Sequence, residues 1–248
     1  MNELLARLRD ASSVLFITGA GISADSGLPT YRGVGGLYEG TITAEGLPIE
    51  EALSNRIFTE DPVLTWRYIR QIEEATRGAA PNLAHSIIAA AEGAKPRVLT
   101  LTQNVDGLHA RAGSRKLIEI HGNVHRIICT SCARRRTVEH FGNLDELPRC
   151  SACGGVERPE IVLFGEPLPR PELVELESEI RKGFDAVISI GTSSAFPYIA
   201  EPVYRARMQN ALTVEVNPAD TAVSEIVEYR LRMRAVAAMS KLEEALVG

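Results

Sequence analysis

Short apolar runs alternate with amphipathic stretches along this chain. Four runs are rich in branched and aromatic residues, at 14–18, 98–102, 186–190 and 212–216. Such runs are typical of strands that are buried on both faces of a parallel sheet. The pattern therefore predicts a sheet whose strands are covered on both sides.

Helical patterns lie between these runs. Asp61 followed by Pro62 is typical of a helix N-terminus and predicts a helix over 63–76. An alanine-rich helix is predicted over 83–92, ending at Gly93. Two further helices are predicted from apolar residues on one face: Leu173, Leu176 and Ile180 in a helix closed by Arg181, Lys182 and Gly183, and Met239, Leu242 and Leu246 in the last helix.

Alternating strands and helices predict an α/β fold with a doubly wound parallel sheet, whose ligands bind beyond the carboxyl ends of the strands. Two stretches break the alternation. Residues 31 to about 60 are rich in glycine and turn residues before they become helical, which predicts a mobile loop leading into a small helical lobe. Residues 126 to about 157 hold short polar segments and all the cysteines. Both are interpreted as insertions into the sheet domain.

The four cysteines form two pairs, Cys129 with Cys132 and Cys150 with Cys153, separated by seventeen residues. Two CxxC pairs at this spacing are typical of a zinc ribbon with one tetrahedral Zn²⁺. The alternative is a pair of disulfides, which a chain without a signal peptide favours less. Because a structural zinc has no open position, the chemistry is expected elsewhere.

Composition and charge disfavour two classes of function, nucleic-acid binding and membrane insertion. The net charge of −5 disfavours binding to nucleic acid by electrostatics, and the basic run at 134–136 is interpreted as a solvated face. No apolar run approaches the length of a membrane span. The first ten residues lack the apolar core of a signal peptide, so we expect a cytoplasmic protein.

Polar motifs follow two of the predicted strands. Gly19, Ala20 and Gly21 begin a GxGxxA motif, in which backbone amides meet a pyrophosphate at a helix N-terminus. The alternative is a tight turn with a packing role only. No acid-terminated second strand follows, which disfavours simple hydride transfer. After the second strand, the sequence TQNVDGLH at 102–109 places amide and carboxylate groups where a ribose and a nicotinamide could be held, or alternatively forms an Asx turn.

His121 ends another apolar stretch, in the sequence EIHGN at 119–123. A lone histidine is more often structural than catalytic, and the other four histidines are assigned structural roles. Together, however, the ordered motifs GAGIS, SGLPTYRG, TQNVDGLH, EIHGN, CxxC twice, FGE, GTSS and VNPAD closely resemble the sirtuin family of NAD-dependent protein lysine deacylases. The resemblance covers the chain from about residue 14 to its last helix.

The resemblance implies a Rossmann-like domain at 1–32, 80–125 and 158–248, a cofactor loop and helical insert at 33–79, and a zinc-ribbon insert at 126–157. It also implies one structural Zn²⁺ and NAD⁺ as co-substrate. His121 would be the general base, with Asn104 and Asp106 as further catalytic residues. The residues implied to bind NAD⁺ are Gly19, Ala20, Gly21, Asp25, Tyr31, Arg32, Gln103, Asn104, Asp106, Gly191, Thr192, Ser193, Asn217, Pro218 and Ala235.

The implied substrates are acylated lysines in proteins or peptides, and a monomer with no nucleic acid or membrane partner is expected. The 162–166 and 194–198 stretches would pair with the peptide backbone, and the implied peptide contacts include Val162, Phe164, Gly165 and Glu166. Family members that remove succinyl or malonyl groups carry a Tyr-x-x-Arg pair. Tyr68 and Arg70 are the implied acyl-binding residues here, but they are two apart and do not share a helix face. Deacetylation is therefore favoured, and desuccinylation or demalonylation stays open.

Three other functions stay open at this point. A mono-ADP-ribosyltransferase would use the same NAD⁺ cleavage with a protein nucleophile. A zinc-ribbon adaptor would bind a partner through Arg134, Arg135 and Arg136, which leaves His121 without a role. A dehydrogenase is disfavoured by the missing acid after the second strand.

Overall fold

The computed structural model describes residues 1–30 and 42–248. The predicted loop glycines at 33–40, and the predicted cofactor residues Tyr31 and Arg32, lie outside the described residues. The strands within the described part are β1 Ser13–Thr18, β2 Arg97–Thr102, β3 Leu117–Glu119, β4 Gly122–Cys129, β5 Arg135–Thr137, β6 Glu157–Ile161, β7 Ala186–Ile190, β8 Leu212–Val216 and β9 Tyr229–Leu231. The helices there are α1 Asn2–Asp10, α2 Ala20–Ser23, α3 Ile49–Ala52, α4 Asn55–Glu60, α5 Pro62–Thr76, α6 Leu83–Ala94, α7 Leu108–Arg111, α8 Arg170–Lys182, α9 Pro197–Met208 and α10 Ala235–Val247.

Six of the described strands form a parallel sheet in the order β3-β2-β1-β7-β8-β9. The chain order reverses between β1 and β7, which is the position where doubly wound sheets bind their ligands. All four predicted strands belong to this sheet, and the predicted Rossmann-like α/β class is confirmed. Helices α1, α6 and α10 pack on one face, and α8 and α9 pack on the other.

The helix boundaries follow local capping chemistry. The Asp61 carboxylate accepts a hydrogen bond from the Leu64 amide at 3.0 Å, and Pro62 is the first residue of α5, as predicted. Helix α8 ends before Gly183, whose φ is 72°. Helix α6 continues through Gly93 to Ala94 instead of ending at Gly93, because nothing near that glycine interrupts the helical turn.

The two insertions share one core. Strands β5, β4 and β6 form an antiparallel sheet that spans Gly122 to Ile161, wider on both sides than the predicted 126–157 insert. The indole of Trp66 in α5 donates to the Glu157 carbonyl oxygen at 2.9 Å, and its ring lies 5.3 Å from that of Phe141. The helical lobe and the ribbon therefore stabilise each other. The proposed domain limits remain a prediction.

The three arginines of the basic run pair with side chains on the surface of the small sheet. Arg135 pairs with Glu160 at 2.8 Å, and Arg136 pairs with the buried Glu157 at 2.5 Å. Arg134 donates to the Ser151 hydroxyl at 3.2 Å. Among the described residues, no helix has both the length and the apolar character that crossing a bilayer requires.

Candidate active site at the carboxyl ends of the strands

The glycine turn after β1 packs directly on the loop after β7. The Gly21 amide donates to the Gly191 carbonyl oxygen at 2.8 Å, and the Gly19 amide donates to the Ile190 carbonyl oxygen at 3.2 Å. A Cβ on Gly21 would lie 2.6 Å from the Gly191 Cα, so this approach requires glycine. The amides of Gly19 and Gly21, expected to face a pyrophosphate, are therefore used within the chain.

A buried polar network lies beside this turn. The Asn104 side-chain amide donates to the Gly19 carbonyl oxygen at 3.1 Å and to the Ser23 hydroxyl at 3.2 Å. The Ser23 hydroxyl donates to the Asp106 carboxylate at 2.7 Å. Asp106 also accepts from the Leu108 amide at 2.9 Å, so the Asx turn considered for this segment is present in addition to the network.

A cleft opens over the network, and burial there raises the pKa of Asp106 above its ordinary value against the hydrogen bonds from Leu108 and Ser23. Amide, hydroxyl and carboxyl groups converge on this small cleft. Its lining residues are Ala20, Ser23, Leu28, Pro29, Ile72, Ala75, Thr76, Asn104 and Asp106.

His121 lies in the link between β3 and β4, and both of its ring nitrogens have partners. Nδ1 is 3.0 Å from the Gln103 carbonyl oxygen, and Nε2 is 2.7 Å from the Tyr198 hydroxyl. Burial lowers the pKa of His121 below its ordinary value, although the bond to Gln103 acts in the opposite direction. The imidazole is therefore neutral at pH 7, which a general base requires.

Side chains from three strand ends meet beside His121. The Gln103 side-chain amide donates to the Thr192 hydroxyl at 2.8 Å. The Asn217 side-chain amide donates to the Thr192 carbonyl oxygen at 3.1 Å. The structure thus brings the predicted residues Gln103, Thr192 and Asn217 together, while Ser193 and Pro218 are exposed at the same edge.

Asp25 has a partner that the sequence did not reveal. Its carboxylate accepts from the Val236 amide at 3.0 Å, in the first turn of α10, and lies 3.4 Å from the Arg234 guanidinium. Asp25 therefore satisfies a free amide at the helix N-terminus. Ala235 is buried at the start of the same helix, so Asp25 and Ala235 are neighbours.

The four cysteine sulfurs form one cluster in the ribbon. All lie within 4.8 Å of one another, with Cys129 and Cys153 at 3.5 Å and Cys132 and Cys150 at 3.7 Å. Four thiolates at about 2.3 Å from a tetrahedral Zn²⁺ would be spaced by roughly 3.8 Å. The set fits one structural zinc ion, and no cysteine of the chain remains for an open catalytic position.

The comparison with known families agrees with this geometry. The model of the Sir2 family matches residues 19–196, which include the glycine turn, the His121 segment and all four cysteines. This chain belongs to the Sir2 family.

Sir2 relatives match over nearly the whole chain. "NAD-dependent protein deacylase 2" of Pseudomonas aeruginosa is 50% identical over 240 residues, 95% of this chain and 93% of the relative. The protein of the same name from Pseudomonas syringae pv. tomato is 48% identical and covers 98% of both chains. A solved Sir2 homolog–NAD complex is 33% identical, with a TM-score of 0.88 over 99% of this chain and 93% of that chain.

The predicted peptide-binding residue Phe164 has backbone partners within the chain. Its amide donates to the Leu53 carbonyl oxygen at 3.1 Å, and its carbonyl oxygen accepts from the Asn55 amide at 2.9 Å. These bonds join Phe164 to the helical lobe, and its contact with a peptide remains a prediction. The Val162 amide likewise donates to the His121 carbonyl oxygen at 2.9 Å.

The neighbouring Glu166 is held by its own loop. Its carboxylate pairs with Arg158 at 2.6 Å and accepts from the Leu163 amide at 2.9 Å. Gly165 lies between Phe164 and Glu166 with a φ of 84°. The contacts of Gly165 and Glu166 with a peptide remain predictions.

Tyr68 and Arg70 have different partners within this Sir2 protein. The Tyr68 hydroxyl bonds to the Glu45 carboxylate, which also pairs with Arg67. Arg70 donates to the carbonyl oxygens of Phe141 at 3.0 Å and Leu144 at 3.3 Å, and to that of Asp145. Both side chains therefore have partners within the chain, and their acyl-binding role remains a prediction.

Two residues of this Sir2 site were missed as individual candidates. Ser23 was visible as the serine of GAGIS, and it joins Asn104 to Asp106. Tyr198 was included only in a peptide-pairing loop, and its bond to His121 joins residues 77 positions apart. No local sequence signal reveals the second contact.

Proposed function

We propose that this protein is an NAD-dependent protein lysine deacylase that uses NAD⁺ as a co-substrate and acts mainly on acetyl-lysine. The observation that carries the proposal is the position of His121, whose Nδ1 lies 3.0 Å from the Gln103 carbonyl oxygen, next to the Asn104–Ser23–Asp106 network. Relatives named NAD-dependent protein deacylase support it. So does a solved Sir2 variant with a deacetylated p53 peptide and 3′-O-acetyl-ADP-ribose, 31% identical with a TM-score of 0.87 over 98% of this chain and 97% of that chain.

The reaction then has two parts. The acyl oxygen of the lysine amide bonds to C1′ of the nicotinamide ribose, and nicotinamide leaves with the bonding electron pair. In the resulting imidate, the ribose 2′-oxygen bonds to the imidate carbon, the C=N electron pair moves to nitrogen, and the hydroxyl proton passes to His121. Water completes the release of lysine and 2′-O-acyl-ADP-ribose. A neutral imidazole suits the second part because it accepts a proton near neutral pH.

The other polar residues are assigned to holding NAD⁺. Asn104 and Asp106 offer amide and carboxyl groups to the nicotinamide and its ribose, from positions that Ser23 fixes. Gln103, Thr192 and Asn217 lie at the adjoining strand ends, on the side of the phosphates and the adenosine ribose. The four cysteines would hold Zn²⁺, which supplies no chemistry to the reaction and stabilises the small lobe.

The preference for acetyl groups follows from the existing partners of two arginines, Arg70 and Arg67. Arg70 is bound to three backbone carbonyl oxygens, and Arg67 is paired with Glu45. A succinyl or malonyl carboxylate would have to displace one of these partners. We therefore expect a higher kcat/KM on acetyl-lysine than on succinyl-lysine in the same peptide.

The test is incubation with NAD⁺ and one peptide carrying acetyl-, succinyl- or malonyl-lysine, followed by mass spectrometry of all products. Nicotinamide, free lysine peptide and O-acetyl-ADP-ribose in equal amounts are expected. ADP-ribose attached to the peptide, with the acyl group retained, would instead identify a mono-ADP-ribosyltransferase. Nicotinamide release from none of the peptides would contradict both activities.

The proposed partner is an acylated lysine in an exposed protein segment. A cytoplasmic location and a monomeric state remain part of the proposal. Size-exclusion chromatography with light scattering tests the monomer directly.

A further inference from the structure

The tautomer of His121 follows from its two partners. The Gln103 carbonyl oxygen accepts hydrogen bonds only, so Nδ1, 3.0 Å away, carries the proton of the neutral ring. Nε2 then bears the lone pair, and the Tyr198 hydroxyl 2.7 Å away donates to it. The nitrogen that would take the ribose proton is therefore already engaged by a phenol.

Aromatic packing holds this phenol in place. Tyr198 lies in the first turn of α9, and its ring stacks on that of Phe196 at 5.4 Å and 14°. The Phe196 ring also meets the His121 ring edge-on at 6.1 Å. Such pairs add to the stability of a side-chain arrangement beyond the area that they bury. The Tyr198 hydroxyl is thus directed at Nε2 by a small aromatic cluster.

We propose that Tyr198 is a positioning residue that occupies Nε2 of His121 before the second part of the reaction and is displaced there by the ribose hydroxyl. One lone pair accepts one good hydrogen bond, so the two hydroxyls compete for it. The inference rests on the proposed function of His121. The displacement of Tyr198 would be a step that sets the partition of the imidate between deacylation and the re-formation of NAD⁺.

The competition predicts a specific kinetic effect. Return of the imidate to NAD⁺ requires only nicotinamide, whereas forward deacylation requires Nε2. Tyr198→Phe removes the competing hydroxyl and keeps the stacked ring. We expect the ratio of deacylation to exchange of labelled nicotinamide into NAD⁺ to rise about 2- to 10-fold, the size of one neutral hydrogen bond. A purely structural change would alter both rates by the same factor.

The matched control is Tyr204→Phe, which changes an exposed tyrosine of the same helix, 45% accessible to solvent. Its ratio should equal that of the unaltered enzyme. An unchanged or lower ratio in Tyr198→Phe would overturn the inference, and a lower ratio would mean that the phenol assists the base. His121→Ala should keep exchange and lose deacylation, which tests the proposed function separately.

A measurement independent of activity completes the test. In ¹⁵N-histidine-labelled, substrate-free protein, His121 should show a protonated Nδ1 and an unprotonated Nε2. The Nε2 resonance should shift in Tyr198→Phe and stay unchanged in Tyr204→Phe. Absence of that shift would show that the hydroxyl does not engage Nε2, and the inference would fail even if the protein deacylates peptides.

Discussion

Gly21 and Gly191 touch through their backbones: a Cβ added to Gly21 would lie 2.6 Å from the Cα and 2.8 Å from the carbonyl oxygen of Gly191. Gly191 has a φ of 59°, in the left-handed region that favours glycine. The loops after β1 and β7 meet here, where the strand order reverses. The contact therefore fixes the two loops on which the NAD⁺ site is proposed to rest.

Gly21→Ala should lower the free energy of unfolding by about 1–3 kcal/mol, because backbone atoms cannot move away as a flexible side chain can. Chemical denaturation measures the change. The matched control is Gly93→Ala inside α6, where an added Cβ meets nothing within 4 Å. That variant should be as stable as the parent or more stable, since alanine favours a helix over glycine. Equal stability of the two variants would contradict the close approach.

His121→Ala should keep the fold and lower deacylation by about 10²- to 10⁴-fold, the usual contribution of a general base. In the parent enzyme, the acid limb of kcat/KM should lie below pH 6.5, because burial lowers the pKa of His121 and the neutral form is the active one. Full turnover by the variant, with an unchanged unfolding transition, would remove this residue from the mechanism.

Removal of zinc should disturb the helical lobe as well as the ribbon. Trp66 is the one tryptophan of the chain, fully buried in the shared core and bonded to Glu157 of β6. A chelator should therefore shift its fluorescence to longer wavelength and lower the midpoint of thermal unfolding. Cys129→Ser should reproduce both effects without a chelator. A chelated protein with unchanged fluorescence would contradict the dependence of this core on the metal.

Arg70→Gln should lower the free energy of unfolding by about 1–3 kcal/mol, because the guanidinium bonds three carbonyl oxygens of the ribbon side. The ratio of acetyl to succinyl kcat/KM should not change. Arg67→Gln, which removes an exposed ion pair with Glu45, should alter stability by less than about 1 kcal/mol. A selective loss of succinyl turnover in Arg70→Gln would instead support the carboxylate-binding role.

Acid should destabilise the protein before its carboxylates titrate. Burial lowers the pKa of His85 to about 4 and that of His109 to about 3, and the two rings pack 4.8 Å apart. The unfolded chain binds protons at these histidines near pH 6.5, so their contribution to stability is complete above pH 6.5 and decreases as the pH falls from 6.5 towards 4.

The slope should reach about 1.4 kcal/mol per pH unit for each histidine. Denaturation at pH 7.5, 6.0 and 5.0 measures it. The control is His140→Asn, at a partly exposed histidine whose ring accepts from the Gly142 amide at 3.1 Å, and this variant should keep the pH dependence of the parent. A constant free energy of unfolding between pH 7.5 and 5.0 would contradict burial of the neutral rings.

Much of the fold could be predicted from residues that lie close together along the chain. Apolar runs predicted the four central strands, Asp61 and Pro62 predicted the start of α5, and cysteine spacing predicted the sulfur cluster. Each of these signals involves residues that are close along the chain. The order of the parallel strands is not local, and β9, only three residues long, carries too short a pattern to be predicted.

In the candidate site, too, individual residues could be predicted from the sequence but their partners could not. His121 and Asn104 were predicted from ordered motifs, but their partners come from distant segments. Asp25 satisfies an amide of α10 that lies 211 residues away, and Arg70 reaches carbonyl oxygens more than 70 residues away. Such pairings depend on how the elements dock, which the spacing of residue types does not encode.

The common core of the two insertions has a consequence for protein engineering. Trp66, Phe141 and Leu163 belong to segments far apart along the chain and exclude water from one another. Deleting the ribbon to obtain a minimal enzyme would expose the hydrophobic surface of the helices. Grafting the ribbon onto another scaffold would expose the hydrophobic surface of the ribbon. The two pieces have to be transplanted, trimmed or swapped between homologues as a single cassette.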